Sequence, residues 1–161
     1  MQVHIYTTGG TIDKIYFDAK STFEVGDPQV IEVLREANVT IEIQVTPLMR
    51  KDSLDMNDDD RALIHDAIAA DPCAHIVITH GTDSMAITAQ ALVDIPDKTM
   101  VFTGAMQPAK FRMTDAVFNI ASAITASQTL PPGVYIAMNG QVFEAGKVRK
   151  NVAENRFEAV G

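Results

Sequence analysis

The chain has 161 residues, of which 47% are hydrophobic and 21% are charged. This length and composition fit one globular domain spanning residues 1–161, and they exclude an intrinsically disordered chain. Its 13 basic and 21 acidic residues give a net charge of −8, which disfavours nucleic acid and anionic membrane surfaces as partners. No apolar run is long enough to span a membrane, and the N-terminus lacks the features of a signal peptide, so the expected location is the cytoplasm.

Short β-rich runs alternate with helical patterns in the first half of the chain. Residues 3–8 are predicted to form a buried strand, and a helix with Pro28 in its first turn follows. Residues 40–48 alternate as a second strand, and Asn57 is the predicted cap of a helix whose first turn carries three aspartates. Residues 9–26 show no clear pattern, and an irregular stretch of that length is usually functional or mobile.

The second half of the chain continues the alternation. Strands are predicted at residues 75–79, 99–103 and 134–138, and helices at 84–93 and 115–127. Asn139-Gly140 is a strong hairpin signal, with residues 141–143 returning antiparallel. The whole pattern predicts an α/β fold with a mostly parallel sheet, helices on both faces and a C-terminal β-hairpin.

Small hydroxyl, glycine and carboxylate residues follow the predicted strands. In open parallel sheets ligands bind beyond the carboxyl ends of the strands, so the site is expected there. Gly9-Gly10 allows the backbone to approach a ligand closely. However, the chain lacks the glycine spacing of a dinucleotide fingerprint and a Walker phosphate loop, so a nucleotide-binding domain is only a weak hypothesis. The segments that follow the strands are residues 7–13, 51–57, 79–84 and 104–108.

The hydroxyl-rich segments raise the question of a nucleophile and its base. A threonine hydroxyl must lose its proton before it attacks a carbonyl, and a lysine in its neutral form can take that proton. Lys150 follows the hairpin and has Asp83 as a candidate partner. The alternative for Lys150 is a solvated basic cluster with Lys147 and Arg149, and Thr82 or Asp83 could simply cap the next helix.

No metal site is predicted. His80 lies at the edge of the expected site, but no second His or Cys joins it in a ligand set. Asp58, Asp59 and Asp60 are better explained as favourable charges in the first turn of a helix. Cys73 is the one cysteine, so it cannot form an internal disulfide, and a structural role is expected for it.

Several segments together resemble motifs of the bacterial-type L-asparaginase family. Thr8-Gly9-Gly10-Thr11-Ile12 is similar to the family's amino-terminal active-site motif, and residues 80–85 are similar to its second motif. Residues 52–58 resemble the family's substrate-binding segment, and residues 103–108 and 115–119 resemble the stretch that follows. They occur in the family's order along essentially the whole chain, which implies the fold of the family's N-terminal catalytic domain.

The resemblance implies a role for each matching residue. Thr11 would be the nucleophile, with Thr82, Asp83 and Lys150 in support and Lys150 drawing a proton through Thr82. Tyr16 would be the counterpart of the loop tyrosine that assists the nucleophile, at a spacing that differs from many long-chain enzymes. The substrate-binding positions implied in the same way are Gly10, Ser53, Leu54, Asp55, Gly81, Thr82 and Asp83.

The implied reaction is hydrolysis of L-asparagine to L-aspartate and ammonia through a threonine acyl-enzyme, with no metal or organic cofactor. The loop at residues 9–26 would act as a lid over the first step. Leu54 stands where many relatives have a glutamine, which predicts weaker substrate binding and little glutaminase activity.

The chain also departs from the family in length, because the usual second domain is absent from these 161 residues. The family implies a homodimer or a larger homo-oligomer. An alternative from a different class is a catalytically weak amino-acid-binding or partner module of an amidotransferase-like assembly.

Overall fold

A six-stranded sheet organises the molecule in the computed structural model, which describes residues 1–161. Its strands are β1 (Gln2–Gly9), β4 (Glu42–Lys51), β5 (His75–Thr79), β6 (Thr99–Thr103), β7 (Gly133–Met138) and β8 (Gln141–Glu144). They lie in the order β4-β1-β5-β6-β7-β8, and every neighbouring pair is parallel except β7 and β8. Two hairpins stand outside this sheet, β2 (Lys14–Phe17) with β3 (Thr22–Val25) and β9 (Val148–Asn151) with β10 (Arg156–Ala159).

Helices cover both faces of the sheet, as the alternation of elements predicts. The helices are α1 (Val30–Glu36), α2 (Asp58–Ala70), α3 (Met85–Gln90) and α4 (Ala116–Thr129). Alternate strand residues point to opposite faces. Ile76 and Ile78 of β5 pack in one core cluster with residues of α2 and α3, whereas Val77 packs in a second cluster with residues of α1 and α4. The predicted fold class is therefore confirmed.

Local signals in the sequence set several element boundaries. Asn57 caps α2 through a reciprocal capping box, in which its side chain accepts from the Asp60 backbone N–H and Asp60 accepts from that of Asn57, both at 3.0 Å. Asn139 and Gly140 both have positive φ in the turn between β7 and β8. The predicted helix at residues 84–93 is shorter in the structure, because α3 ends at Gln90.

The structure overturns the prediction that residues 9–26 are irregular. A 3₁₀ turn at Thr11–Asp13 leads into the hairpin of β2 and β3, which closes where the Gly26 N–H donates to the Asp13 carbonyl at 2.8 Å. Much of this hairpin is exposed, so it has no buried face and therefore no alternating apolar pattern. None of the helices in the structure has the length and apolar character needed to cross a membrane.

Candidate active site

Three loops at the carboxyl edge of the sheet meet through glycines. Gly10 has φ of 86°, and a Cβ placed on it would lie 2.5 Å from the Cα and N of Gly81. A Cβ on Gly81 would in turn lie 2.6 Å from the Cβ of Ser53. The loops that follow β1, β4 and β5 therefore lie so close together that only glycine fits at positions 10 and 81. Thr11 and Thr82 each follow one of the two touching glycines.

The Thr11 segment is fixed from several sides. Thr11 is half-buried and begins the 3₁₀ turn, and the next residue, Ile12, is fully buried in the core. The Gly10 N–H donates to the Lys51 carbonyl at 2.9 Å, and the Ala109 N–H donates to the Ile12 carbonyl at 3.1 Å. The backbone around Thr11 is thus held by the end of β4 and by the loop after β6.

Lys150 contacts both Thr82 and Asp83. Its Nζ donates to Thr82 Oγ1 at 2.8 Å and to Asp83 Oδ1 at 2.7 Å. Only 15% of the Lys150 side chain is exposed, while Lys147 pairs with Glu144 on the surface. Lys150 therefore does not share the solvated setting of its basic neighbours.

The hairpin of β9 and β10 carries Lys150 to this position. Phe157 is directly opposite Lys150 in the hairpin and is buried in the core that α2 and α3 cover. The Phe157 N–H donates to Asn139 Oδ1 at 2.8 Å, which ties the hairpin to the turn after β7. This hairpin was not predicted from the sequence, because β9 contains one apolar residue, Val148, and so shows no alternating pattern.

Ser53 links the loop after β4 to the loop after β5. Its Oγ accepts from the N–H groups of Asp83 and Ser84, at 3.1 and 3.3 Å, and its carbonyl accepts from Ser84 Oγ at 2.8 Å. The alternative in which Thr82 or Asp83 caps the following helix is not observed, because the N-cap residue of α3 is Ser84 and no side chain forms a cap hydrogen bond there. The Ser53 hydroxyl keeps its own proton to donate to a ligand.

The other predicted residues lie around these groups and do not all converge on them. Leu54 is 76% exposed, and Asp55 is also exposed, both in the 3₁₀ turn Ser53–Asp55. Tyr16 lies on β2, where its half-exposed ring packs against Phe23 with centroids 5.2 Å apart. The structure thus places Tyr16 on a hairpin beside the site.

Two titratable groups next to the site, His80 and Asp13, are buried. His80 lies in the core and not at the site's edge, with its Nε2 2.8 Å from Thr88 Oγ1, and burial lowers the His80 pKa to about 4. Burial raises the pKa of Asp13 to about 7, against a lowering by the hydrogen bond that Asp13 accepts from the Gln29 N–H at 2.9 Å. No cluster of three or more His, Cys, Asp or Glu side chains is suited to a metal ion.

Comparisons with known proteins agree with one another. The family model described as "Asparaginase, N-terminal" matches residues 2–160. L-asparaginase of Thermococcus kodakarensis is 31% identical over 99% of this chain and 51% of its own length, and the "Probable L-asparaginase periplasmic" of Haemophilus influenzae is 32% identical over 92% and 46%. The chain thus spans about half the length of these curated relatives.

Two further matches concern structure and a different enzyme. The solved structure of the thermostable L-asparaginase from Thermococcus kodakarensis superposes with a TM-score of 0.86 at 28% identity, covering 99% of this chain and 51% of that one. A glutamyl-tRNA(Gln) amidotransferase component from Methanococcus vannielii is 38% identical over 47% of this chain and 20% of its own length.

Proposed function

We propose a function from the fact that this chain belongs to the asparaginase family. Residues 1–161 form one amidohydrolase domain that cleaves L-asparagine to L-aspartate and ammonia. The observation that carries the proposal is the contact of Lys150 Nζ with Thr82 Oγ1 at 2.8 Å, beside the touching Gly10 and Gly81. This contact supplies the Thr82 hydroxyl and the Lys150 amine as two successive proton acceptors. A threonine nucleophile such as Thr11 requires a base of this kind to take up its proton.

In the first step Thr11 Oγ attacks the side-chain amide carbon of asparagine. The reactive state has Lys150 as a neutral amine, which accepts the Thr82 hydroxyl proton while Thr82 accepts the proton of Thr11. The same proton returns to the leaving nitrogen, the C–N bond breaks, and ammonia departs from an aspartyl ester on Thr11. Backbone N–H groups, including that of Thr82, stabilise the oxyanion.

In the second step water attacks the ester carbonyl and the proton relay runs again. The new C–O bond replaces the bond to Thr11 Oγ, which recovers its proton, and aspartate leaves. Tyr16 assists Thr11 when the hairpin of β2 and β3 closes over the substrate. The proposed chemistry uses groups of the chain itself and water, without a metal or organic cofactor.

The α-carboxylate and the α-ammonium of the substrate are bound between the loops after β4 and β5. The Ser53 hydroxyl donates its proton to the α-carboxylate, and the Asp83 carboxylate accepts from the α-ammonium beside the Lys150 contact. Gly10, Leu54, Asp55 and Gly81 complete the walls of this subsite. Because Leu54 offers no polar group, we propose weak binding and a low ratio of glutaminase to asparaginase activity.

The test is ammonia release from L-asparagine and L-glutamine by the purified chain. Thr11→Ala removes release, Thr11→Ser keeps a measurable part of it, and Thr40→Ala, an exposed threonine before β4, serves as the matched control. Release that survives Thr11→Ala would refute the nucleophile, and equal kcat/KM on the two amides would refute the selectivity.

A second candidate is a partner module of an amidotransferase-like assembly that binds an amino acid with little catalysis. The observation in its favour is the resemblance to the amidotransferase component of Methanococcus vannielii over 47% of this chain. In that case aspartate raises the melting temperature equally in the unmodified chain and in Thr11→Ala, while neither releases ammonia. For the proposed hydrolase we also propose a cytoplasmic location and a homo-oligomeric state. Cell fractionation tests the location.

A further inference from the structure

His80 is a buried histidine that the proposed mechanism does not use. It is fully buried directly before Gly81 and Thr82, and its Nδ1 lies 2.7 Å from the Gly81 carbonyl oxygen. A carbonyl oxygen can only accept a hydrogen bond, so Nδ1 is the ring nitrogen that carries the proton and donates. The ring therefore holds the peptide that joins Gly81 to Thr82 from the core side.

The N–H of the same peptide faces away from the ring. The peptide bond is trans, so the Gly81 carbonyl and the Thr82 N–H point in opposite directions. The N–H groups of Asp83 and Ser84 both donate to Ser53 Oγ. The Thr82 N–H, in contrast, donates to no group of the chain. The N–H that is proposed to stabilise the oxyanion is thus free for a ligand, and the carbonyl that the buried ring binds sets its direction.

The other nitrogen of the ring is held as well. Burial lowers the His80 pKa to about 4, so the ring is neutral at neutral pH and its Nε2 is an acceptor. Thr88 Oγ1 lies 2.8 Å from Nε2 and therefore donates its proton there. Met56 Sδ is another neighbour of Nε2, at 3.1 Å, and a thioether has no proton to give. One tautomer of His80 thus satisfies both ring nitrogens.

Arg61 begins this series of hydrogen bonds. Its Nε donates to Thr88 Oγ1 at 3.1 Å, and only 11% of the Arg61 side chain is exposed. A guanidinium donates only, and it keeps its charge in proteins. The Thr88 hydroxyl can accept from Arg61 and still give its own proton to His80. Three hydrogen bonds of one direction therefore lead from α2, through α3, to the Gly81 carbonyl.

We propose that His80, held by Thr88 and Arg61, is a positioning residue for the oxyanion. Hydrogen bonds aligned in one direction polarise one another, and a hydrogen bond to a peptide carbonyl draws electron density away from the N–H of that peptide. The Thr82 N–H is thereby fixed in direction and strengthened as a donor. Preorganised donors aimed at an oxyanion are commonly the largest contribution to acyl-transfer catalysis. This role rests on the proposed function, because the oxyanion is that of the proposed hydrolysis.

Steady-state kinetics of ammonia release from L-asparagine test the role. His80→Leu should lower kcat by about tenfold or more and change KM by about twofold or less, because the loss falls on the transition state. His80→Asn should recover much of kcat, since an asparagine amide can place an N–H near the position of Nδ1. Thr88→Val should also lower kcat, and Thr88→Ser should restore it because serine keeps the hydroxyl.

A control variant and a spectroscopic measurement accompany the kinetics. His65→Leu, at a partly exposed histidine of α2, should keep the kcat of the unmodified chain. Circular dichroism and melting temperature establish that each variant is folded. Long-range proton–nitrogen NMR spectra of the unmodified chain should show His80 with a protonated Nδ1 and an unprotonated Nε2, and His80→Asn assigns these signals.

Two results would each overturn the positioning role. One is a His80 protonated at Nε2, which contradicts the series of hydrogen bonds whether or not the chain is active. The other is a folded His80→Leu variant that keeps the kcat of the unmodified chain; should it not fold, an unchanged kcat in Thr88→Val has the same meaning. Failure of the proposed function gives a different result, because the unmodified chain then releases no ammonia while the His80 tautomer stays as described. The role in hydrolysis would fall with it.

Discussion

Replacing Asp13 by asparagine should stabilise the chain in a pH-dependent way. Asp13 is 2% exposed, one oxygen accepts the Gln29 N–H at 2.9 Å, and the cation that lowers its pKa through charge is Arg50. Burial raises the pKa from 3.8 to about 7, so the folded state binds more protons than the unfolded state between those values. Asp13 therefore contributes stability that is fully present below pH 3.8 and is lost as the pH rises through about 7.

The size of the effect follows from the two pKa values. At about 1.36 kcal/mol for each pKa unit, the ionised carboxylate lowers the free energy of unfolding by up to about 4 kcal/mol above pH 7. Asparagine cannot ionise, and its carbonyl can still accept the Gln29 N–H. Asp13→Asn is thus expected to be more stable at pH 8 by up to about 4 kcal/mol and nearly equal at pH 4.

Urea unfolding at a series of pH values is the appropriate assay. For a chain of this length each kcal/mol corresponds to about 2–4 °C in melting temperature, so thermal melts give an independent measure. Asp18→Asn, in the exposed turn of the β2 and β3 hairpin, is the control and should show no such trend. A difference between Asp13→Asn and the unmodified chain that does not grow between pH 5 and pH 8 would refute the reasoning.

Three other changes probe the packing around the site. Gly10→Ala should abolish ammonia release and destabilise the chain, because its Cβ would lie 2.5 Å from the Gly81 backbone; retained activity would contradict this contact. Thr7→Val should raise the free energy of unfolding in urea by about 1 kcal/mol, because the buried Thr7 hydroxyl has no hydrogen-bond partner, and a loss of stability would argue against it. Phe157→Leu should lower the free energy of unfolding by about 1.5 kcal/mol or less. It should also lower kcat more than it changes KM, because Phe157 anchors the hairpin that carries Lys150. A change confined to KM would oppose that role.

Local patterns were sufficient to predict the central sheet and the meeting of the loops that follow its strands. Buried strands such as β5 are nearly continuous apolar runs. The capping box of α2 involves only Asn57 and Asp60, which lie three positions apart in the sequence. Because parallel strands put their carboxyl ends at one edge, the loops bearing Thr11 and Thr82 were expected to meet there.

What the sequence did not reveal depends on contacts between distant residues. The hydrogen bonds of Ser53 to the loop before α3 join residues that lie 30 and 31 positions apart in the sequence. The β2 and β3 hairpin has no buried face, so no periodicity marks it. His80 is buried against α3, and Asp13 is buried against the start of α1. The residues next to His80 and Asp13 in the sequence do not indicate this packing.

The attachment of Lys150 to a small separate hairpin has a consequence for how activity is lost. Two-stranded sheets are marginally stable by themselves in water, so β9 and β10 depend on the anchoring of buried side chains such as Phe157. Mild heating or dilute denaturant should release this segment while the six-stranded sheet stays intact. Under the proposed function, ammonia release would then be lost at a lower temperature than the circular dichroism signal of the central sheet.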